Sequence, residues 1–376
     1  MKRFVYADNA ATTQLDIEAF EAMKPYLLSE YGNASQPYSF SRKSKKGIKE
    51  AREIIASCIN AKPNEIYFTS GGTESDNWAL KGVMLSSNDR KTVISSKIEH
   101  HAVLRSMKWL EQKGFSTMYL EATADGVIEP EKLHKEISND TQLVSIMFAN
   151  NEIGTIQPIK DLAKIAHSKG ALFHTDAVQV VGHIPIDVQE LDVDLLSASA
   201  HKFNGPKGIG FLYIKEGVEI EPYLDGGSQE NAMRAGTENV ASIVGMAYAL
   251  QNNCKQMRKN IAHLNELGQI LIQKLNEKAT KNYVKNGGYN TLPGLISLSF
   301  EDANGEALLH RLDLRGIFVS TGSACDSVNT NISHVLQAIE LNENYAKGTI
   351  RISLGKNNVI EDIDYIVDEI VRAISV

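Results

Sequence analysis

The sequence predicts an α/β fold in which a mostly parallel sheet is covered by helices on both faces, with a smaller α/β lobe beside it. Two observations support this prediction. Short apolar runs alternate with segments of helical periodicity between residues 66 and 214, and such alternation is typical of parallel sheets. Polar residues also follow several predicted strands directly, and ligands bind beyond the carboxyl ends of strands in sheets of this kind.

The first 65 residues are predicted to hold one short strand and two helices. The strand covers residues 4–7, and apolar residues at helical spacing indicate helices near 16–29 and 41–60. Between the helices, the glycine and small polar residues at 31–35 exclude a helix interior.

The alternating region opens with a strand at 66–69, a tight loop at 70–73 and a helix at 74–85. A strand, a glycine turn and a helix start direct backbone N–H groups and the positive end of the helix at an anion. The hydroxyl of Thr73 at the helix start strengthens the prediction of a phosphate-binding turn. Further strands are predicted at 92–95, 116–120, 142–148, 171–175, 194–199 and 209–214, and helices near 102–114, 129–137 and 159–168.

A long helix predicted at 240–278 marks a hinge between two lobes. Beyond it, strands are expected at 295–300, 318–319 and 349–354, with helices at 305–315, at 333–340 and at the carboxyl end. We therefore predict a large domain over residues 14–257 and a small domain formed by residues 1–13 and 258–376.

Composition excludes several classes of protein. With 39 Lys and Arg against 46 Asp and Glu, the net charge of −7 opposes a broad nucleic-acid-binding face. No apolar run is long enough for a membrane span, and Asp8 comes too early for a signal peptide. The three cysteines are Cys58, Cys254 and Cys325. They lack the paired spacing of metal ligands, so we predict no metal site. An odd and sparse cysteine count is typical of a reducing compartment, so we predict a cytoplasmic protein with free thiols.

Lys202 stands at the end of an apolar run, in a loop punctuated by glycines. An amine at the mouth of a buried strand is available as a nucleophile or Schiff-base former. A surface lysine in a hairpin turn is the alternative, and this stretch alone leaves both open.

Three other features favour the chemical interpretation. The turn at 71–73 suits a phosphate, Asp176 ends a predicted buried strand, and Cys325 lies in a polar loop. Pyridoxal phosphate requires a phosphate cradle, a Schiff-base lysine and an acid opposite its pyridine nitrogen. Without Lys202, Asp176 would be interpreted as a helix N-cap.

Several segments resemble the cysteine desulfurases, which belong to the class V aminotransferase family of fold-type I pyridoxal-phosphate enzymes. The resemblance covers nearly the whole chain and implies a mostly parallel, seven-stranded sheet. Its motifs are DNAATT at 8–13, TSGGTESDN at 69–77, NNEIG at 150–154, HTDAVQ at 174–179, SASAHKFNGPKGIG at 197–210, RAGTEN at 234–239 and GSAC at 322–325.

The resemblance implies a role for each matching residue. Lys202 would carry the cofactor as a Schiff base and move the substrate Cα proton, and His100 would stack on the ring and shuttle protons. Asp176 would hold the pyridine nitrogen and Gln179 the ring hydroxyl. The remaining cofactor contacts would come from Gly72, Thr73, Asn151, Ser199, His201 and Thr237.

The implied substrate and partner contacts complete the site. Arg351 would bind the substrate carboxylate through a bidentate fork, assisted by Asn33. Thr237 would reach the phosphate of a neighbouring subunit, which implies a homodimer. The family usually has a proline and a histidine near Asn33, where this sequence has Ala34 and Tyr38, so entrance contacts are expected to differ.

Cys325 is surrounded by small and polar residues, as expected of a loop that carries sulfur between a site and an acceptor. Cys58 and Cys254 fall within helical patterns and are predicted to be structural.

The predicted function is that of a cysteine desulfurase, which converts L-cysteine to L-alanine and leaves a persulfide on Cys325. An iron–sulfur scaffold or a thiolase would then accept the sulfur, in iron–sulfur cluster, thio-cofactor or tRNA pathways. One alternative is a selenocysteine lyase or another enzyme of the class V aminotransferase type. A non-catalytic scaffold protein is the alternative from another class.

Overall fold

A central sheet of seven strands organises the structure, a computed structural model that describes residues 3–86, 89–279, 281–321 and 332–375. The strands of all the sheets in the described residues, in chain order, are β1 (Val5–Tyr6), β2 (Ile66–Thr69), β3 (Thr92–Ser96), β4 (Ser116–Leu120), β5 (Thr141–Ser145), β6 (Leu172–Asp176), β7 (Leu195–Ser199), β8 (Gly210–Ile214), β9 (Tyr283–Asn286), β10 (Leu295–Phe300), β11 (Ile317–Phe318) and β12 (Thr349–Ser353). The helices are α1 (Ile17–Leu28), α2 (Arg42–Cys58), α3 (Gly72–Ser86), α4 (His101–Gln112), α5 (Pro130–Glu136), α6 (Ile159–Ser168), α7 (Val188–Leu191), α8 (Val240–Lys278), α9 (Gly305–Leu314), α10 (His334–Ala338), α11 (Glu343–Ala346) and α12 (Ile360–Ile374).

The central sheet has the strand order β2-β8-β7-β6-β5-β3-β4. β8 runs antiparallel to both of its neighbours, and the other neighbouring pairs are parallel. The carboxyl ends of β3, β5, β6 and β7 therefore meet at one edge. The predicted α/β fold with a mostly parallel seven-stranded sheet is confirmed.

Burial explains why the inner strands are continuous apolar or small-residue runs. Every residue of β5, β7 and β8 is buried, as expected for strands covered by helices on both faces. Large side chains such as Trp78, Phe173 and Phe211 fill the core with less than 2% exposure.

A second core lies between β10, β12 and the helices that pack on them. In the antiparallel sheet β12-β10-β9, Ile350 and Leu298 contribute to an apolar cluster that also contains Val5 and Ala7 from the amino-terminal segment. β1 reaches this lobe by pairing in parallel with β11. The division of the chain between residues 257 and 258 into a large and a small domain stays a prediction.

The helix α8 connects the two cores along its 39 residues. Met246 and Leu250 pack in the core of the large sheet, whereas Leu267 and Leu271 pack in the second core. In the ranges that the structure describes, neither this helix nor any other combines the length and apolar content of a membrane span.

Several elements differ from the sequence predictions. α3 begins at Gly72 instead of residue 74, because Gly71 has a φ of +148° and turns the chain two residues earlier. β5 ends at Ser145, before the predicted end at residue 148. The strand β9 and the one-turn helices α7 and α11 were not predicted. β9 is a partly exposed edge strand without clear apolar alternation, and single helical turns are too short to show periodicity.

Candidate active site

Four predicted site residues lie where parallel strands of the central sheet end. Asp176 is the last residue of β6, and Ser199 is the last residue of β7. His100 follows β3 as the N-cap of α4, and Asn151 lies in the loop after β5. Because the strands are parallel, four separate segments bring these side chains to the same edge of the sheet.

Lys202 lies in a 3-10 turn, Ala200–Lys202, directly after β7. Its Nζ donates hydrogen bonds to the carbonyl oxygens of Ala10, at 2.6 Å, and Ala11, at 2.9 Å. Gln179 Nε2 donates to the same Ala10 oxygen at 3.0 Å. The amino-terminal loop therefore holds the half-buried Lys202 amine beside Gln179, the two residues predicted to contact one cofactor.

Asp176, Asp76 and His100 form a compact acid–imidazole cluster. One ligand atom from each lies within 4.8 Å of the other two. Burial raises the pKa of Asp76 well above its usual value, and the charge of Asp176 raises it further. Burial also raises the pKa of Asp176, but His100, the backbone N–H of Val178 and Lys202 all oppose that rise. Two carboxylates this close do not readily ionise together, and the positive charge of Lys202, which acts on Asp176, favours the ionised form of Asp176.

The layer beneath Asp176 is polar but uncharged. The ring of His174 is hydrogen-bonded through Nδ1 to Ser145 Oγ at 2.8 Å and through Nε2 to Ser197 Oγ at 3.0 Å. Burial lowers the pKa of His174 to about 3, so its approach to Asp76 at 3.8 Å is not an ion pair. No charge in the described part of this layer therefore competes with Asp176, which lies above it at the end of β6.

His100 is held as a neutral imidazole with a defined tautomer. Its Nδ1 accepts a hydrogen bond from the backbone N–H of Ala102 at 3.2 Å, which leaves the proton of the neutral ring on Nε2. Burial lowers the pKa of His100, although the negative charge of Asp176 opposes the shift. A neutral imidazole in this position can exchange protons with a substrate.

A cavity of about 380 Å³ lies beside the first turn of α3 and the end of β7. The backbone approaches it closely at Gly72, where an added Cβ would lie 2.6 Å from Val178 Cγ2. Because α3 begins at Gly72, its first N–H groups and the positive end of its dipole lie at this cavity. Thr73 and Ser199 also line it. These features fit a phosphate group.

Two further cavity residues, Lys207 and Thr12, were not predicted as site residues. Lys207 lies in the same glycine-rich loop as Lys202. Its position in the sequence could have indicated a site residue, because a lysine ammonium close to a phosphate-binding turn can pair with the phosphate. Thr12 Oγ1 hydrogen-bonds His201 Nδ1 at 3.1 Å. Burial, with the charges of Lys202 and Lys207, lowers the pKa of His201 to about 4, so His201 meets a phosphate as a neutral ring.

Among the described residues that line this cavity, Glu74 is the one carboxylate, and Arg234 neutralises it. The Arg234 Nε atom lies 2.7 Å from Glu74 Oε1. Burial acts to raise the pKa of Glu74, but hydrogen bonds from Arg234 and Ser70 outweigh it and lower the pKa. Glu74 therefore does not repel an anion as a free carboxylate would.

Arg351 is 4% exposed and lies on β12 with its guanidinium directed between two partners. One terminal nitrogen lies 2.8 Å from Asp8 Oδ1, and the other donates to the Asn151 carbonyl oxygen at 2.8 Å. Its buried Nε has no hydrogen-bond partner among the described residues. The pair with Asp8 was not predicted. A substrate carboxylate at Arg351 would share the guanidinium with Asp8.

Two predicted residues do not join the site within one chain. Thr237 is exposed on the surface of the chain, in the segment before α8. Asn33 is also exposed, and its side chain accepts a hydrogen bond from the Ser35 N–H at 2.8 Å.

Cys325 lies outside the described residues, within the gap at 322–331. The chain on both sides of this gap is fixed beside the candidate site. Before it, Ser320 exchanges backbone hydrogen bonds with Arg351. After it, Ser333 Oγ donates to Glu152 Oε2 at 2.5 Å, and His334 Nε2 hydrogen-bonds the Glu99 carbonyl oxygen at 3.0 Å.

Comparison with known proteins places the chain in a family. The Aminotransferase class-V family model matches residues 5–366. A cysteine desulfurase IscS of Dictyoglomus turgidum is 51% identical over 375 residues, covering 100% of this chain and 95% of the relative. A cysteine desulfurase IscS of Methanosarcina thermophila is 47% identical over 97% of this chain and 90% of the relative.

Solved structures agree with these relatives. A NifS-like protein superimposes with a TM-score of 0.94 at 39% identity, covering 99% of this chain and 100% of that chain. A structure described as SspA in complex with cysteine has a TM-score of 0.84 at 36% identity, covering 94% of this chain and 100% of the other. The family model and the full-length relatives together show that the chain belongs to the class V aminotransferase family, among its cysteine desulfurases.

Proposed function

We propose that this chain removes sulfur from L-cysteine with pyridoxal 5'-phosphate as its cofactor, leaving L-alanine and a persulfide on Cys325. The observation that carries the proposal is the convergence of Lys202, Asp176 and the Gly72 turn at one edge of the sheet. This arrangement occurs in a chain that is 45–51% identical to proteins named cysteine desulfurase.

The residues present fit the cofactor at each of its polar groups. The first turn of α3, with Thr73 and Ser199, would hold the phosphate. Asp176, at the end of β6, would pair with the pyridine nitrogen. Gln179 would hold the ring hydroxyl. When bound, the pyridoxal ring accepts electron density as a substrate Cα proton leaves.

The protein groups would then orient the substrate and move its protons. Arg351 would bind the carboxylate of L-cysteine in a charge-assisted fork, and its rigid place on β12 would fix the Cα atom. Lys202 Nζ would take the Cα proton. The neutral His100 ring would first accept a proton to become imidazolium and would then return that proton to the developing product.

Sulfur transfer would be completed by Cys325. Its thiolate would attack the sulfur atom of the substrate, so that an S–S bond forms as the Cβ–S bond breaks. The electron pair of the broken bond would stay with Cβ, which then gains a proton to become the methyl group of L-alanine. Ser320 and Ser333, on either side of the segment that contains Cys325, are held beside the site by contacts with Arg351 and Glu152.

Two partners follow from the proposal. A second copy of the chain would receive Thr237 at its phosphate cradle, forming a homodimer with shared sites. A thiol-bearing acceptor protein, such as an iron–sulfur scaffold or a thiolase, would accept the outer sulfur atom of the persulfide.

The test separates the cofactor from the sulfur step. Lys202→Ala is expected to lose the visible absorbance of the bound cofactor. Cys325→Ser is expected to keep that absorbance but to form neither L-alanine nor a persulfide from L-cysteine. Wild-type rates of L-alanine release by Cys325→Ser would refute the assignment of Cys325, and a colourless wild-type protein in the presence of pyridoxal phosphate would refute the cofactor assignment.

A further inference from the structure

Cys58 and Cys254 lie together on the outer side of the helices that cover the central sheet. Cys58 is the last residue of α2, and Cys254 lies on α8. Both side chains are half-buried and line the same open groove, of about 1050 Å³, between α1, α2 and α8. Their thiols share a hydrogen bond. Residues that are 196 positions apart in the chain, from 58 to 254, thus form an adjacent dithiol that solvent can reach.

The two thiols of this pair are chemically different. The hydrogen bond from Cys58 lowers the pKa of Cys254, and the same contact, together with burial, raises the pKa of Cys58. Lys255 lines the groove beside them and adds a positive charge near the pair. Because the thiolate is the reactive form of cysteine, we expect Cys254 to act as the nucleophile and Cys58 as the thiol that reacts with it second.

We propose that Cys58 and Cys254 are a modification site, separate from the catalytic cysteine, at which a hydroperoxide closes an intramolecular disulfide between α2 and α8. In the first step the Cys254 thiolate attacks one oxygen of hydrogen peroxide, the O–O bond breaks, and hydroxide leaves. Cys254 is oxidised to a sulfenic acid as the peroxide is reduced. In the second step the Cys58 sulfur attacks the sulfenic sulfur, the S–S bond forms, and water leaves with the Cys58 proton.

The local backbone permits this closure. A disulfide needs the two sulfur atoms to move from contact to about 2.0 Å with a suitable dihedral angle. Cys58 ends α2, and the following residue, Ile59, has already left the helical conformation with φ −122° and ψ 10°. Closure would therefore call on the terminal turn of α2, where the helix already ends, and not on the interior of α8. The groove supplies the opening through which a small peroxide reaches the pair.

The bond would join two elements that now only pack together. α2 covers the large sheet, whereas α8 continues from that core into the second core. Oxidation would therefore tie the end of α2 to the helix that connects both lobes. This inference rests only on the pair and its groove, so it holds whether or not the proposed sulfur chemistry is correct.

The test uses the full chain, loaded with pyridoxal phosphate, in a Cys325→Ser background that removes the other cysteine. After brief treatment with hydrogen peroxide and alkylation under denaturing conditions, the protein is expected to weigh about 2 Da less than the reduced, unalkylated chain and to carry no alkyl group. Peptide mapping should recover a Cys58–Cys254 cross-link that a reductant cleaves.

Single variants of the pair provide the matched controls. Cys58→Ser should stop at the sulfenic acid of Cys254, which dimedone traps, whereas Cys254→Ser should react at Cys58 at least tenfold more slowly. The proposal is overturned if both thiols of the parent protein remain open to alkylation after peroxide, if the cross-link forms between two chains, or if Cys58 is trapped faster than Cys254.

Discussion

Replacement of Glu99 by glutamine should make the stability of the protein less sensitive to alkaline pH. Glu99 is fully buried directly before His100. Its carboxyl group accepts hydrogen bonds from the Met147 N–H, at 3.0 Å to each oxygen, and from Ser96 Oγ at 2.5 Å. Burial raises the pKa of Glu99 to about 8, although the bonds from Ser96 and Met147 oppose the rise.

The size of the effect follows from proton linkage. The ordinary pKa of 4.5 applies to the unfolded chain, and the folded value is about 8, so the folded state binds the extra proton. The resulting stabilisation is complete below pH 4.5 and is lost as the pH rises through 8. Between about pH 6 and pH 9, the wild-type free energy of unfolding should fall by about 3 kcal/mol through Glu99 alone. Glutamine has no such proton to lose.

The assay compares denaturant unfolding of the cofactor-loaded wild type and Glu99→Gln at these two pH values. The difference between their free energies of unfolding should change by about 3 kcal/mol in favour of the variant at the higher pH. Glu131→Gln, which alters an exposed acid on α5, is the matched control and should follow the wild type. Parallel pH profiles for Glu99→Gln and the wild type would refute the account of a protonated Glu99.

Three other predictions concern the candidate site directly. Gly72→Ala should weaken pyridoxal phosphate binding roughly tenfold, because the added Cβ would lie 2.6 Å from Val178 Cγ2. Titration of the visible absorbance measures the affinity, and a second change, Val178→Ala, should restore most of it. Asp8→Asn should lower the free energy of unfolding by about 2 kcal/mol, since it leaves the buried guanidinium of Arg351 without its carboxylate; an unchanged denaturation midpoint would contradict that pairing. The acidic limb of the pH profile for L-alanine formation should lie below about pH 6.5, because burial lowers the pKa of His100. His100→Gln should abolish this limb and reduce the rate about 100-fold or more.

The edge of the sheet at which the site lies was predictable from sequence, because strand ends are visible as changes from apolar to polar residues. Asp176 and Lys202 each follow a buried run, and the parallel topology then requires them to meet. The turn before α3 was predictable for the same local reason, since paired glycines at a strand end have few other uses.

The contacts that tune the site depend on packing between distant segments. Asp76 is one polar residue within a helix, and only the packing of α3 on the sheet shows that it lies against Asp176 and changes its ionisation. The Asp8–Arg351 pair and the Cys58–Cys254 pair likewise join positions hundreds of residues apart or on different helices. The prediction that Cys58 and Cys254 are structural was made from helical patterns, which do not show that the two residues line the same groove.

The amino-terminal segment also bears on the order in which the site is assembled during synthesis. Val5 pairs with Ile317, and Asn9 and Ala10 hydrogen-bond Ser353 on β12. A ribosome makes residues 5–13 before these partners, which emerge only when more than 300 further residues have been added. The strands that carry Asp176 and Lys202 can therefore fold while the loop that holds the Lys202 amine still lacks its anchor. A nascent chain should therefore gain a competent site only after β12 has been made, and synthesis interrupted before β12 would leave the Lys202 amine without its anchored loop.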